Sequence, residues 1–166
     1  GNNTNPKKHL LILALSQAAG PAGMVGGQSL DLGATDRKIP LSELKNLHAL
    51  KTGALLKVCV QLPCILSNTL TAKQKQAFLT FSEHIGLAFQ IQDDILDVIS
   101  DTKTLGKPQG SDESANKSTF VSLLGLESAK KELVNQHELA IQALRSLPYN
   151  TEKLQTFTDF MVTREF

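Results

Sequence analysis

The 166-residue sequence contains no tryptophan, a single tyrosine, two cysteines and two methionines, and its formal net charge is only +1. The cysteines, Cys59 and Cys64, have no histidine at finger spacing, which excludes a disulfide scaffold, a zinc knuckle and a CxxC redox pair. Such sparse thiol use fits a reducing, cytoplasmic compartment. Interspersed charges of both signs exclude the basic footprint of a general nucleic-acid binder. No uninterrupted apolar run approaches the ~20 residues of a bilayer span, and the polar start Gly1-Asn2-Asn3-Thr4-Asn5 is unlike a signal peptide. The expectation is therefore no nucleic acid and no membrane span. With 41% apolar and 20% charged residues, the chain suits one domain, and at this length it can bury about 70% of its unfolded surface without staples.

What is abundant is leucine, alanine, lysine and glutamine, a mixture that favours helix. Helical apolar spacing predicts a first helix from about Pro6 to Gly20 and a second across Ala22 to Leu32, whose glycines suggest close approach by another backbone or a ligand. A third starts after Pro40, capped at Ser42 or just before, and carries Leu44, Leu47, Leu50, Leu55, Val58 and Leu62 until Pro63 kinks or ends it. Thr71 caps a long fourth helix reaching about Ile99, and the polar, glycine- and proline-bearing run 102–116 reads as a loop. Beyond it, helices are expected at Phe120 to Leu124, Leu126 to about Leu147, and Thr151 to about Val162. Strand alternation is absent, so the fold class is all-α, an antiparallel helical bundle.

The chemistry concentrates on the fourth helix. At about 100° per residue, Glu83, Gly86, Gln90, Asp93, Asp94, Asp97 and Asp101 share one arc, while the rest of the circumference is apolar apart from Gln92. A solvated helix would show a broad polar face, so this pattern describes a buried helix with a carboxylate strip. The plainer reading is a solvated acidic patch, which the apolar surroundings disfavour. Crowded carboxylates repel one another unless cations bridge them, and their oxygens suit Mg²⁺, which keeps water and substrate phosphate in its shell. Lysines beside glycines or polar residues flank the strip at Lys51-Thr52-Gly53, Leu105-Gly106-Lys107-Pro108 and Asn116-Lys117-Ser118-Thr119. Each alone reads as a loop residue; together with a divalent cation they suit a diphosphate.

The run Phe89-Gln90-x-x-Asp93-Asp94-x-x-Asp97, with Gly26-Gly27-Gln28-x-x-Asp31 and Lys51-Thr52-Gly53 before it and Gly106-Lys107 and Lys117-Ser118-Thr119 after it, resembles the C-terminal half of the trans-isoprenyl diphosphate synthases. Within that family the pattern is similar to that of the bacterial farnesyl diphosphate synthases (geranyltranstransferases). The resemblance covers nearly the whole chain in order and spacing. It implies the isoprenoid-synthase bundle and a transfer of an allylic diphosphate, dimethylallyl or geranyl, onto isopentenyl diphosphate, with Mg²⁺ or Mn²⁺ as cofactor. It further implies Asp93 as a direct metal ligand, with Asp94 and Asp97 ligating or orienting metal-bound water. Lys51 and Lys107 would hold the allylic diphosphate, assisted by Lys117. Gln90 and Thr52 would line the reacting centre, Phe89 would lie against isopentenyl diphosphate, and Gln28 and Asp31 would stand behind them.

The family's first aspartate-rich motif has no counterpart here. The chain is therefore expected to be the C-terminal half of a single domain, partnered by an upstream half of the same protein, within a homodimer, and inactive by itself. Alternatives are a catalytically silent subunit of a heteromeric synthase, disfavoured by intact motifs, and a longer-chain (geranylgeranyl) synthase. A terpene cyclase is disfavoured by the form of the aspartate motif. His9, His48, His84 and His137 are expected at the surface or in packing, Cys59 and Cys64 in the core, and Arg164 is given no role.

Overall fold

A computed structural model describes residues 6–99 and 117–164. Among them there is no strand. The helices are α1 (Lys8–Ala19), α2 (Met24–Gly33), α3 (Leu41–His48), α4 (Ala54–Leu66), α5 (Ala72–Ile99), α6 (Phe120–Leu124), α7 (Leu126–Arg145) and α8 (Glu152–Thr163). A π-helical turn, Ala49–Gly53, joins α3 to α4 without a break. The run 102–116, with Lys107, and the flanking Asp101 lie outside the described residues.

The all-α expectation holds. Thr71 caps α5 as read: the Gln74 N–H donates to Thr71 Oγ1 at 3.2 Å and Gln74 Oε1 accepts the Thr71 N–H at 2.8 Å, a reciprocal box that closes two otherwise open backbone donors. Two boundaries differ from the sequence reading. α4 continues through Pro63 to Leu66, so the proline does not end the helix, and it falls within the last turn, where only one backbone N–H is forgone. α3 begins after Pro40 with no side-chain cap, so Ser42 does not serve.

α5 is the axis of the bundle, and α7 packs along most of it. Its apolar circumference enters two cores. Ala88, Ile91 and Ile95 meet Leu44, Leu47, Phe120, Ala129 and Leu133, and Phe81 and Ile85 meet Ala140, Leu144, Leu147 and Met161. A polar relay fastens α3 to the same axis: Lys45 pairs with Glu132 at 2.8 Å, Gln136 donates to Glu132 at 3.0 Å, and Gln136 Oε1 meets His84 Nδ1 at 2.7 Å. Burial raises the Glu132 pKa, but Lys45 and the neighbouring amides outweigh it and hold the carboxyl below its usual range. Cys64 is buried as expected, whereas Cys59 is exposed, because it falls on the outer face of α4.

The outer faces of the N-terminal helices are apolar and exposed. Ile12, Leu13 and Leu15 on α1 and Val25 and Leu32 on α2 each show about half or more of their surface. Counted through their junctions, Lys8–Gly33 and Leu41–Leu66 are each 26 residues, long and apolar enough to cross a membrane by length and composition alone. The first stretch is interrupted by turns at residues 20–23, between α1 and α2, whereas the second is continuous through the π-helical turn.

Candidate active site

The site is built where α5 meets the π-helical turn. Two glycines let three backbones converge there. A Cβ on Gly27 of α2 would stand 2.1 Å from the Lys51 backbone nitrogen, and a Cβ on Gly86 of α5 would stand 3.5 Å from Gly53 Cα. The turn is thus clasped between α2 and α5, and a π-helical turn, rare in itself, is often found at functional positions. It delivers Lys51 beside Asp31 of α2.

Lys117 reaches the same carboxylate from the opposite side of the chain. The segment before α6 is pinned by Ser118, whose hydroxyl accepts the Ile39 N–H at 3.2 Å and donates to the Arg37 carbonyl at 3.3 Å. Thr119 then starts α6 with a reciprocal cap to Ser122, at 3.0 and 2.8 Å. Asp31 Oδ2 consequently receives Lys51 Nζ at 2.6 Å and Lys117 Nζ at 3.1 Å. Burial raises the Asp31 pKa, but the two ammonium groups outweigh it and keep the carboxyl below its ordinary value.

These groups open onto a cavity of about 290 Å³ whose wall includes Asp31, His48, Lys51, Gln90, Asp93, Asp94 and Lys117, over an apolar floor of Ile39, Leu44 and Leu47. Of the residues singled out in the sequence, the fold therefore gathers Asp31, Lys51, Gln90, Asp93, Asp94 and Lys117. Gln28 is exposed on α2 and, like Thr52, Phe89 and Asp97, does not line this cavity.

The three aspartates have different surroundings. Asp97 is 2% exposed and Asp94 7%. Asp94 Oδ2 accepts the Phe120 N–H at 2.6 Å, so part of this carboxylate secures the start of α6. Asp93 keeps 44% of its side chain exposed at the cavity mouth and is ion-paired with Arg164. The Arg164 guanidinium also lies 4.2 Å from the centre of the Phe89 ring, and its carbonyl accepts the Gln92 amide at 2.9 Å. Among the described residues, no cluster of three or more histidine, cysteine or carboxylate side chains is gathered to hold a metal. A hydrated Mg²⁺, which needs one or two protein carboxylates and fills its shell with water and phosphate, still fits one accessible aspartate beside a second.

Two site residues escaped the sequence reading. Arg164, given no role, sits on Asp93 and Phe89; one arginine near a chain end carries no spacing signal. His48, expected at the surface or in packing, lines the cavity. Its position three residues before Lys51, on the same face of the helix, was the available signal.

The family model for polyprenyl synthetases matches residues 7–160. The chain belongs to the polyprenyl synthetase family. It is 41% identical over 157 residues to the farnesyl diphosphate synthase of Escherichia coli, covering 93% of this chain and 52% of that protein. It is 42% identical over 165 residues to the farnesyl diphosphate synthase of Haemophilus influenzae, covering 99% and 56%. Among solved structures it superposes on a geranyltransferase from Helicobacter pylori in complex with magnesium and isoprenyl diphosphate, with TM-score 0.78, 29% identity and coverage of 96% and 53%. The chain spans about half the length of the curated relatives it matches.

Proposed function

We propose that this chain carries the diphosphate-holding half of a prenyltransferase that condenses dimethylallyl or geranyl diphosphate with isopentenyl diphosphate to farnesyl diphosphate. The observation that carries the reading is the convergence of Lys51 and Lys117 on Asp31 at a cavity edged by Asp93 and Asp94. Two ammonium groups held by one carboxylate retain a net positive charge, and that charge faces an opening lined below by apolar side chains. A ligand with a polyanionic head and a hydrocarbon tail matches both ends of such a cavity.

In this reading the allylic C–O bond breaks and its electron pair leaves with the diphosphate. The double bond of isopentenyl diphosphate then attacks the allylic carbon, and loss of a proton completes a chain five carbons longer. Lys51 and Lys117 hold the departing diphosphate, and Lys107, outside the described residues, belongs to the same set by its motif. Asp93 and Asp94 are the residues that would hold Mg²⁺, which supplies charge neutralisation of the leaving group. Gln90 faces the reacting carbon atoms, and the apolar floor excludes water that would quench the cation. Thr52, Phe89, Gln28 and Asp97 are assigned supporting places by the motif resemblance.

An upstream half of the same protein would supply the facing carboxylates, and the exposed apolar faces of α1 and α2 support packing against that half or a second copy in a homodimer. The enzyme is read as cytoplasmic, in keeping with its two unpaired cysteines. The test is product analysis of the complete protein with dimethylallyl, geranyl and isopentenyl diphosphates and Mg²⁺. Farnesyl diphosphate is expected, with kcat/KM reduced at least about 100-fold in Lys51→Ala. Absence of any condensation product, or full activity of Lys51→Ala, overturns the reading.

A further inference from the structure

A single residue fastens the end of α8 to the carboxylate helix. Arg164 follows the last turn of α8, where its N–H donates to the Phe160 carbonyl at 3.0 Å. Three side chains of α5 receive it: Phe89, Gln92 and Asp93, spaced i, i+3 and i+4 and therefore on one face. The Gln92 amide, itself 7% exposed, holds the Arg164 carbonyl, while the guanidinium lies over the Phe89 ring and is ion-paired with Asp93. Only 15% of the arginine side chain is exposed, and its Nε is shielded with no hydrogen-bond partner among the described residues. A guanidinium buried with a bare N–H has given up hydration without replacing it. The seat therefore holds Arg164 less firmly than a fully satisfied structural pair, and the residue can leave it.

The aspartates of α5 differ in what they leave for a cation. Asp97 is buried, Asp94 gives one oxygen to the Phe120 N–H, and Asp93, with 44% of its side chain exposed, is the carboxylate that a hydrated ion reaches from solvent. Arg164 sits on that one. A guanidinium and a divalent ion on the same carboxylate would repel each other at close range, so the two compete. Resting on the prenyl-transfer reading above, in which Asp93 holds Mg²⁺, we propose that Arg164 is a resident counter-ion that occupies Asp93 in the metal-free protein, weakens divalent-cation binding there, and gives up its seat when the ion binds. Until then its charge offsets the repulsion among Asp93, Asp94 and Asp97, which keeps the carboxylate strip compatible with a buried helix. The coupling is reciprocal: the factor by which Arg164 weakens metal binding is the factor by which metal weakens the seating of Arg164. Because Gln92 holds the backbone of the same residue, the state of the carboxylates is reported by the last turn of α8.

The test uses the complete protein and Mn²⁺ alone, without substrate, with free Mn²⁺ followed by electron paramagnetic resonance. Arg164→Ala is expected to tighten Mn²⁺ binding about 3- to 10-fold, the worth of a partly exposed ion pair together with a ring contact. Loss of a nearby positive charge would by itself favour the ion, so Phe89→Leu supplies the second variant: it keeps the charge, removes the ring beneath the guanidinium, and should tighten binding about twofold. In an Asp93→Asn background, Arg164→Ala should change the affinity by less than about twofold, because the contested carboxylate is gone. Hydrogen exchange of the unaltered protein reads the seat directly, and saturating Mn²⁺ should speed exchange of the Arg164 amide and its neighbours in the last turn of α8 about 5-fold or more. Equal affinities with and without Arg164, no effect of Phe89→Leu, an undiminished effect in the Asp93→Asn background, or unchanged exchange overturns the proposal. Any of these leaves the prenyl-transfer reading standing, whereas a failure of every form to bind Mn²⁺ removes Asp93 as a metal holder and the proposal with it.

Discussion

Gly27→Ala tests whether the clasp between α2 and the π-helical turn governs both stability and the position of Lys51. On the present backbone the added methyl carbon would stand 2.1 Å from Lys51 N, 2.5 Å from Lys51 Cα and 2.7 Å from the Leu50 carbonyl carbon. Unstrained contacts of this kind need about 3.5 Å, so the two backbones must part by roughly 1 Å or more. No flexible side-chain end is involved, and neither backbone can yield without disturbing its helix. Overpacking of this sort costs about 1–3 kcal/mol, against which alanine returns about 0.5–1 kcal/mol of helix propensity. The net expectation is a loss of about 1–2 kcal/mol, a fall in Tm of roughly 2–8 °C. Gly33, in the same helix, supplies the internal control, since a Cβ there meets nothing within 4 Å. Gly33→Ala should gain about 0.5 kcal/mol. Thermal and urea unfolding measure both, and kinetics of the complete protein should show Gly27→Ala losing on the order of 100-fold in kcat/KM for the allylic diphosphate as Lys51 shifts. If the two alanine variants are equally stable and equally active, the clasp argument is wrong.

Further expectations follow from the charges around the cavity. Asp31→Asn removes the carboxylate shared by Lys51 and Lys117. It should lower stability by about 1–2 kcal/mol and make it more sensitive to low ionic strength, where the lysines repel most; melting curves from low to high salt check this, and a salt-independent difference speaks against the shared pair. Asp93→Ala should reduce kcat about 100-fold or more, while its half-exposed pair with Arg164 is worth less than about 1 kcal/mol to folding; a large drop in melting temperature would mark Asp93 as structural instead. Acidification should destabilise the protein between pH 6.5 and about 4 through His48, because the folded ring takes its proton only near 4 while the unfolded ring takes it near 6.5. The unfolded state binds more protons across that window, so stability declines as pH falls, by roughly 3 kcal/mol in full; His48→Phe should flatten this limb of the urea-derived stability profile.

Much of this protein is written locally. The apolar circumference of Gly86 to Ile99 requires a buried helix, since its only polar arc is too narrow to be a solvated face, and that helix became the axis of the bundle. The starts of α5 and α6 lie in side chains three residues apart, Thr71 with Gln74 and Thr119 with Ser122, so they too are legible. The candidate residues Asp31, Lys51, Gln90, Asp93, Asp94 and Lys117 could be named because their types and spacings carry a motif. Their arrangement could not. Lys51 and Lys117 are 66 positions apart and meet only because Ser118 pins one segment and Gly27 admits another, contacts with no local periodicity. The same holds for Arg164, brought onto Asp93 from 71 positions away, and for His48. Whether the histidine lay in water or beneath Lys51 depended on how α3 settled against Phe120. Helix formation and burial of a face are short-range consequences of residue order, whereas convergence on one carboxylate is a property of packing, decided only once the helices have closed around α5.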